Sequence, residues 1–504
     1  MSAPAAHARA CRPHPAARWL AVWLACAAVP AWAQSGPGLR VAASIDSSLS
    51  AVVNSRLGGR DAAEVVAEVR PGLSISSRSG RVVGSLTYGL QLQQRSRNSE
   101  SDDGVQHNLQ AQFSAEAVER WLYVDGSAGI SQQLKDPYGV RGTGDSAAGS
   151  SNRLEVATAS LSPYVRGILG GSVTYELRLN AAGTNARRSI DNDSTTWGGA
   201  FNIGAQVGRY GWGLVATTQE SDYRRAGNTR NDRVYGTLSW LPDPDYTLSV
   251  RAGEEASDVG TPLEQRFTTY GGSFSWRPSP RTRAQLDYEK RYFGDSYRVL
   301  VEQRMSNASF SISSSRSDST SSSVSRGAIT ALQLQEAILA ATITDPGLRR
   351  QQALADLQLA GIDPTQIIII SSLNSAVSIA ENHAITFGYS GRNLSFGAQA
   401  YLGKNRVIDR NTPGNQEPVE QFGWQANLGY RLGPTTSFTL TGGRQDTRAT
   451  TQRAGTNLKT VAASLGAQLG RNGSASLGAR YSVFNSSTDP YREAAVTASA
   501  GYRF

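Results

Sequence analysis

Apolar and polar residues alternate along most of this chain, and any fold it adopts must satisfy that period of two. Phe422, Trp424, Ala426, Leu428, Tyr430 and Leu432 form one row, with Gly423, Gln425, Asn427, Gly429 and Arg431 between them. Val173, Tyr175, Leu177 and Leu179 alternate with Thr174, Glu176, Arg178 and Asn180. The same pattern recurs through 234–240, 246–253 and 284–289. Successive side chains of a strand point to opposite faces, so each run predicts a strand with one apolar and one polar face.

Two architectures produce such rows. In a water-soluble sandwich the apolar face is a core; in a transmembrane barrel it meets lipid and the polar face lines the lumen. Full charges in mid-strand (Glu176, Arg178, Asp287, Glu289, Arg291) favour the barrel. So do predicted strands of about 10–14 residues, long enough for a tilted crossing. Trp240, Trp276, Tyr292, Phe293 and Tyr430 sit near strand ends, where interfacial girdles belong. Short connections (78–81, 208–211, 242–245, 278–281, 391–393, 433–435) alternate with long ones (98–104, 135–152, 183–195, 221–231, 255–265, 405–418). That is the rhythm of short periplasmic turns and longer outer loops. The expected fold is therefore all-β: an up-and-down antiparallel transmembrane β-barrel of about 22 strands, within a range of 18–22, with one helical loop insertion.

Residues 1–33 carry Arg9, Arg12 and Arg18 and no acid, then a short apolar run ending Ala31-Trp32-Ala33. This reads as a secretory signal cleaved near Ala33-Gln34, leaving 34–504 as the barrel. Both cysteines, Cys11 and Cys26, fall in that leader, which excludes disulfides, thiolate catalysis and Cys-based zinc sites from 34–504. A mean hydropathy of −0.36 and no apolar run near 18 residues exclude a helical membrane bundle. The carboxy terminus, Ala500-Gly501-Tyr502-Arg503-Phe504, ends an alternating strand on Phe. Tyr502 and Phe504 resemble the signal by which the outer-membrane assembly machinery recognises barrels.

Residues 318–375 break the alternation. A Ser-rich stretch is followed by a helical pattern over 327–341, with Leu332, Leu334, Ile338 and Leu339 on one face. Asp345-Pro346 reads as a cap and first turn of a second helix that stops at Gly361. Strand parity puts the insertion on the outer side, either as a loop or as a lumen plug, and its apolar faces require burial.

Little in 34–504 carries chemistry. The two histidines, His107 and His383, stand apart, and no phosphate loop, metal cluster or dinucleotide fingerprint is present. No catalytic residue, cofactor or metal is expected, and no nucleic acid. The mid-strand charges Glu176, Arg178, Arg251, Asp287, Glu289, Arg291, Arg298, Glu302 and Arg431 are the candidate lumen-lining residues. They either set the field felt by a solute or pair across the lumen.

The run Asp287-Tyr288-Glu289-Lys290-Arg291-Tyr292-Phe293-Gly294-Asp295-Ser296-Tyr297, the Ser-rich strand after it, Leu241 to Glu254 and the 345–361 helix resemble one known family. It is the outer-membrane barrel family associated with PEP-CTERM/exosortase sorting systems, with Tyr292 where Phe is more usual. The resemblance implies a Gram-negative outer-membrane setting beside exopolysaccharide production and surface-protein sorting. It supplies no residue roles. The expected function is a non-enzymatic channel or scaffold, with a general diffusion porin and a barrel-embedded hydrolase as alternatives. The expected partners are outer-membrane lipid and lipopolysaccharide, the barrel assembly machinery and extracellular polysaccharide. A plugged receptor of the TonB type fits poorly, because strands begin within about ten residues of Gln34.

Overall fold

The computed structural model describes residues 38–56, 62–77, 80–96, 105–142, 152–187, 192–319, 331–339, 343, 346–359, 376–408 and 417–504. The leader with its Ala33-Gln34 junction, the Ser-rich stretch beyond 319, Asp345 and Gly361 lie outside the described residues.

Twenty-two strands follow in chain order. The first eleven are β1 (Leu39–Arg56), β2 (Ala62–Ser77), β3 (Val82–Arg95), β4 (Val105–Val118), β5 (Leu122–Leu134), β6 (Arg153–Leu169), β7 (Val173–Ala186), β8 (Ser194–Val207), β9 (Tyr210–Tyr223), β10 (Gly227–Asp243) and β11 (Tyr246–Ser257). The rest are β12 (Gln265–Ser279), β13 (Thr282–Arg291), β14 (Gly294–Arg304), β15 (Ala308–Ser319), β16 (Ser378–Ser390), β17 (Leu394–Val407), β18 (Val419–Arg431), β19 (Thr436–Thr447), β20 (Thr456–Leu469), β21 (Gly473–Asn485) and β22 (Tyr491–Arg503). Two helices, α1 (Ala331–Leu339) and α2 (Pro346–Leu359), stand between β15 and β16.

Every strand pairs antiparallel with its chain neighbours. The seam closes where β22 pairs with β1, from Ser44 opposite Arg503 to Arg56 opposite Tyr491. Closure leaves no edge of unpaired N–H and C=O groups, which hydrocarbon could not satisfy. The terminal residue takes part, since Phe504 N donates to Ala43 O at 2.9 Å.

The alternating rows now have directions. Val250 (63% exposed), Leu238 (65%) and Leu177 (46%) point outward, while Arg251, Thr237 and Arg178 point in. A protein wrapped this completely in exposed Leu, Val, Trp and Tyr is solvated by lipid, not water. Trp121, Tyr210, Trp240, Tyr246, Trp276, Tyr430, Tyr502 and Phe504 ring the end with the short turns. Trp197, Phe422 and Trp424 lie toward the other. An even-stranded closed barrel with an apolar band between aromatic girdles is the architecture of an outer-membrane barrel.

Ten connections of two to four residues lie at the end that holds the first and last strand termini. The opposite, outer end carries the longer loops, with two exceptions. The predicted loop over 221–231 is mostly strand: β9 and β10 continue until Tyr223 faces Gly227, and only 224–226 turn. The β13–β14 connection is just Tyr292 and Phe293. Beyond the lipid both faces of a strand are polar, so alternation fades while backbone pairing continues. Gly227 (φ 79°) and Gly294 (φ 99°) take the left-handed conformation that closes these two tips.

The lipid-facing assignment has a direct test. Val250→Arg should destabilise the folded barrel by about 2–4 kcal/mol in reversible unfolding from vesicles, against almost nothing for Thr237→Arg on the lumen face.

Candidate functional site

The lumen is where polar side chains converge, and three structures occupy it. The first is a charge network on the β10–β15 wall. Arg251 bonds Asp287 at 3.1 Å and lies 3.6 Å from Glu289. Glu289 also pairs closely with Arg233, whose guanidinium covers the Tyr235 ring at 4.2 Å. Arg291 bonds Glu255 at 2.6 Å and Asp318 at 2.7 Å, and Tyr292 Oη donates to Asp318 at 3.2 Å. Arg298 stands opposite Asp287 in the ladder, and Glu302 opposite Arg283. On the β5–β7 wall, Arg178 bonds Asp125 at 2.8 Å and Glu176 at 3.0 Å and stacks on Tyr164 at 3.8 Å. Pairing across strands holds most of these charges. Sequence reasoning missed Arg233, which sits one step beyond an alternating row, and Glu255, assigned there to a loop.

The second structure is the helical hairpin. Leu332 and Leu339 of α1 pack on Ala353 and Leu357 of α2, joined by Ile343 and Leu354. Gln335 donates to Asp356 at 3.0 Å, and Arg349 Nε to Ile343 O at 2.9 Å. The pair lies inside the barrel. α1 packs on β15–β17 and α2 on β20 and β21. Buried Ile338 sits against Gly397, where a Cβ would collide with it. Arg350 reaches the opposite wall and donates to Gln110 of β4 at 3.0 Å. The insertion therefore spans the lumen. Parity gave its point of attachment; of the outer loop and the lumen plug that the sequence left open, the hairpin is the second. Arg431, at the turn end of β18, acts electrostatically on Asp356.

Beside the hairpin lies a cavity of about 1510 Å³. Its wall mixes hydroxyl and amide side chains, Ser44, Ser74, Thr87, Gln110, Asn427 and Thr441 among them, with apolar ones such as Leu332, Leu354 and Leu357. Arg40, Arg70, Arg349, Arg350, Arg480 and Arg503 border it, against Asp46, Glu68, Asp125 and Glu336.

The third structure roofs that cavity. Residues 135–142, the start of the β5–β6 loop, fold across the mouth toward β19–β22. Arg453 clamps Asp136 through both oxygens at 2.7 and 2.8 Å and covers the Tyr138 ring at 5.4 Å. Asn152 ties the loop by donating to Asp136 O at 2.8 Å and Val140 O at 3.2 Å. Arg141 is 1% exposed. Its Nη2 donates to Pro137 O at 2.6 Å and to Thr447 Oγ1, and Tyr491 Oη donates to its carbonyl. Burial pulls the Arg141 guanidinium down to about 10, leaving it charged at neutral pH. No described carboxylate forms an ion pair with it. Asp446 and Asp136 favour its charge from beyond ion-pair distance, against the cost of burial. On the other side of the mouth, Ala376 and Val377 pack on Tyr223 and Ala226.

No family model and no curated protein sequence matches the chain. Among solved structures it is similar to Pseudomonas aeruginosa OpdQ, at 12% identity and a TM-score of 0.32, covering 92% of this chain and 98% of that one. It is also similar to Fiu, a ferric-catecholate import receptor of E. coli K12, at 9% identity and a TM-score of 0.46, covering 92% and 81%. A third is the loop L8 deletion mutant of OmpT, an outer membrane protein of Vibrio cholerae, at 8% identity and a TM-score of 0.32, covering 92% and 99%.

Both histidines lie on the outward face, each hydrogen-bonded to a hydroxyl across the ladder. His107 Nδ1 meets Tyr88 Oη at 2.9 Å, and His383 Nδ1 meets Ser314 Oγ at 2.9 Å. Tyr502 and Phe504 also face outward, their rings in edge contact at 5.0 Å.

Two outcomes follow from this geometry. Glu289→Gln strips Arg233 of its ion-pair partner and should cost about 3 kcal/mol in urea unfolding, most of it recovered in the Glu289→Gln/Arg233→Met double variant. Burial raises the Asp356 carboxyl above the usual range, against hydrogen bonds from Gln352 and Gln335 and the charge of Arg431. The docked hairpin thus binds more protons than the undocked one. Docking is fully favoured below the ordinary aspartate value of about 3.9 and weakens as pH rises through the raised value. Protection factors over 346–359, corrected for the pH dependence of intrinsic amide exchange, should be larger at pH 4 than at pH 7.5, and Asp356→Asn should abolish the difference.

Proposed function

We propose that the protein is a non-enzymatic outer-membrane channel or scaffold for extracellular polymer, whose passage is narrowed by its own helical hairpin. One observation carries this reading: the hairpin bridges the lumen from β15–β17 to Gln110 of β4 while leaving beside it a cavity that many hydroxyl and amide side chains reach. The hydroxyl and amide groups of that surface can exchange hydrogen bonds with polyhydroxylated solutes. The resemblance to exosortase-linked barrels supplies the biological setting, polysaccharide export or surface-protein sorting. Lipopolysaccharide and the barrel assembly machinery are its expected partners.

A barrel-embedded hydrolase is the second reading, favoured by the Ser314–His383 contact. Among the described residues no carboxylate bonds His383, so nothing fixes the imidazole as a triad would. Ester hydrolysis lost on His383→Ala would establish that reading.

Single-channel conductance of the refolded protein, with and without residues 320–375, tests the main one. The expected result is small or absent current from the intact chain and a large step after deletion. A large steady current from the intact chain makes it a general diffusion porin. Silence from both leaves a filled, structural barrel.

A further inference from the structure

Three cations stand in one row on the lipid-facing side of the wall. Trp424, Arg444, Lys459, Val483 and Arg492 lie opposite one another across β18, β19, β20, β21 and β22. They share the outward face with exposed Val461, Tyr481 and Val496. Neighbouring strands lie about 4.8 Å apart, so Lys459 has Arg444 directly beside it and Arg492 about 10 Å away on its other side. Like charges set opposite each other repel, and the ladder holds them there. Nearby carboxylates answer only part of this charge. Asp446 holds Arg444 at 2.7 and 2.9 Å, and Glu420 holds Lys404 at 3.1 Å and Arg448 at 2.7 Å. No described carboxylate pairs with Lys459 or Arg492, and both are exposed. Farther round the outer rim, Arg230, Lys290 and Arg316 each have a carboxylate, at 2.8, 3.1 and 2.9 Å.

The height of the row follows from its neighbours. The next outward-facing rung toward the turns is Gly442, Val461, Tyr481 and Ala494; the next toward the loops is Asp446, Asn457 and Asn485. Lys459 stands ten residues from Leu469, and Arg492 ten from Tyr502, both at the turn end. A strand tilted about 40° rises roughly 25 Å over that length, which is the height of the apolar band. The cations therefore sit where hydrocarbon gives way to headgroups in the outer leaflet.

We infer that this row is a lipopolysaccharide-binding site on the outside of the barrel. Lys459 and Arg492 hold phosphates of the lipid A headgroup, and Val461 and Tyr481 lie against its acyl chains. Ammonium and guanidinium groups bind phosphate oxygens through charge-assisted hydrogen bonds. Two cations about 10 Å apart suit a headgroup with two separated phosphates, which lipid A has and a single-phosphate phospholipid lacks. The inference rests on the outer-membrane reading and names where its lipopolysaccharide partner sits; it needs no open lumen. Arg492 stands opposite Ser55 of β1, so the bound lipid braces the strands beside the closing seam.

Native mass spectrometry of the detergent-solubilised full-length protein tests the site. The probes are bisphosphorylated lipid A, monophosphoryl lipid A, phosphatidylglycerol and phosphatidylcholine. Bisphosphorylated lipid A should bind most tightly and phosphatidylcholine least. Lys459→Gln/Arg492→Gln should weaken bisphosphorylated lipid A about tenfold or more, and Arg230→Gln should leave it unchanged. On the wild-type protein, where no variant has to fold, bound lipid A should slow acetylation of Lys459 and spare that of Lys290. Equal lipid A binding by the double variant, or unchanged labelling of Lys459, would overturn the site while keeping the lipopolysaccharide partner. No lipid A binding by the wild-type protein would overturn both. Phosphatidylglycerol binding as tightly as bisphosphorylated lipid A would overturn the two-phosphate assignment. A dimer that forms in place of the lipid adduct, and is lost in the double variant, would give the row to a second copy of the chain.

Discussion

Every feature of this molecule depends on one constraint: backbone polar groups inside a bilayer have only each other. The β1–β22 seam satisfies it by removing the last edge. Once the sheet is closed, strand pleat does the sorting. One side of every strand must be soluble in lipid, and the other faces a space the protein itself must fill or hydrate. The lumen's contents are therefore a secondary solution to the problem that closure creates.

Two solutions coexist inside. On the β10–β15 wall charges are matched, with Arg233, Arg251 and Arg291 sharing Glu255, Asp287, Glu289 and Asp318. Such a wall gains little affinity for a passing ion, because each of these charges already has a partner. Around the cavity the hairpin brings Arg350, bonded to Gln110, and the β5–β6 loop brings Arg141, which no described carboxylate reaches at ion-pair distance. The asymmetry gives the lumen one inert side and one electropositive side.

What the sequence disclosed follows the same physics. The alternating rows announced the strands, their number and their facing, because a lipid-facing row must be apolar over its whole crossing. Strand ends at 221–231 were illegible because both faces meet water there. The inward turn of the hairpin was half legible: Leu332, Ile338 and Leu339 demanded burial, but the partner surface, Gly397 and its neighbours, is assembled from distant strands. Arg141 gave no signal, since it lies in a loop without periodic context and its partners Thr447 and Tyr491 are some three hundred residues away. The mid-strand charges were visible as inward residues, and most of their partners were not.

The insertion leaves the wall after Ser319 and returns at Ser378, and those two residues stand directly opposite each other at the outer end of the β15–β16 ladder. The barrel's register is thus complete whether 58 residues or a tight hairpin join them. A detour with coincident ends can drop into the bore without threading through anything and without being enclosed before the seam zips. Wall and bore-filling segment are free to vary on separate evolutionary schedules: the same staves can carry a different stopper, and a stopper can be lengthened, shortened or exchanged without re-registering a single stave.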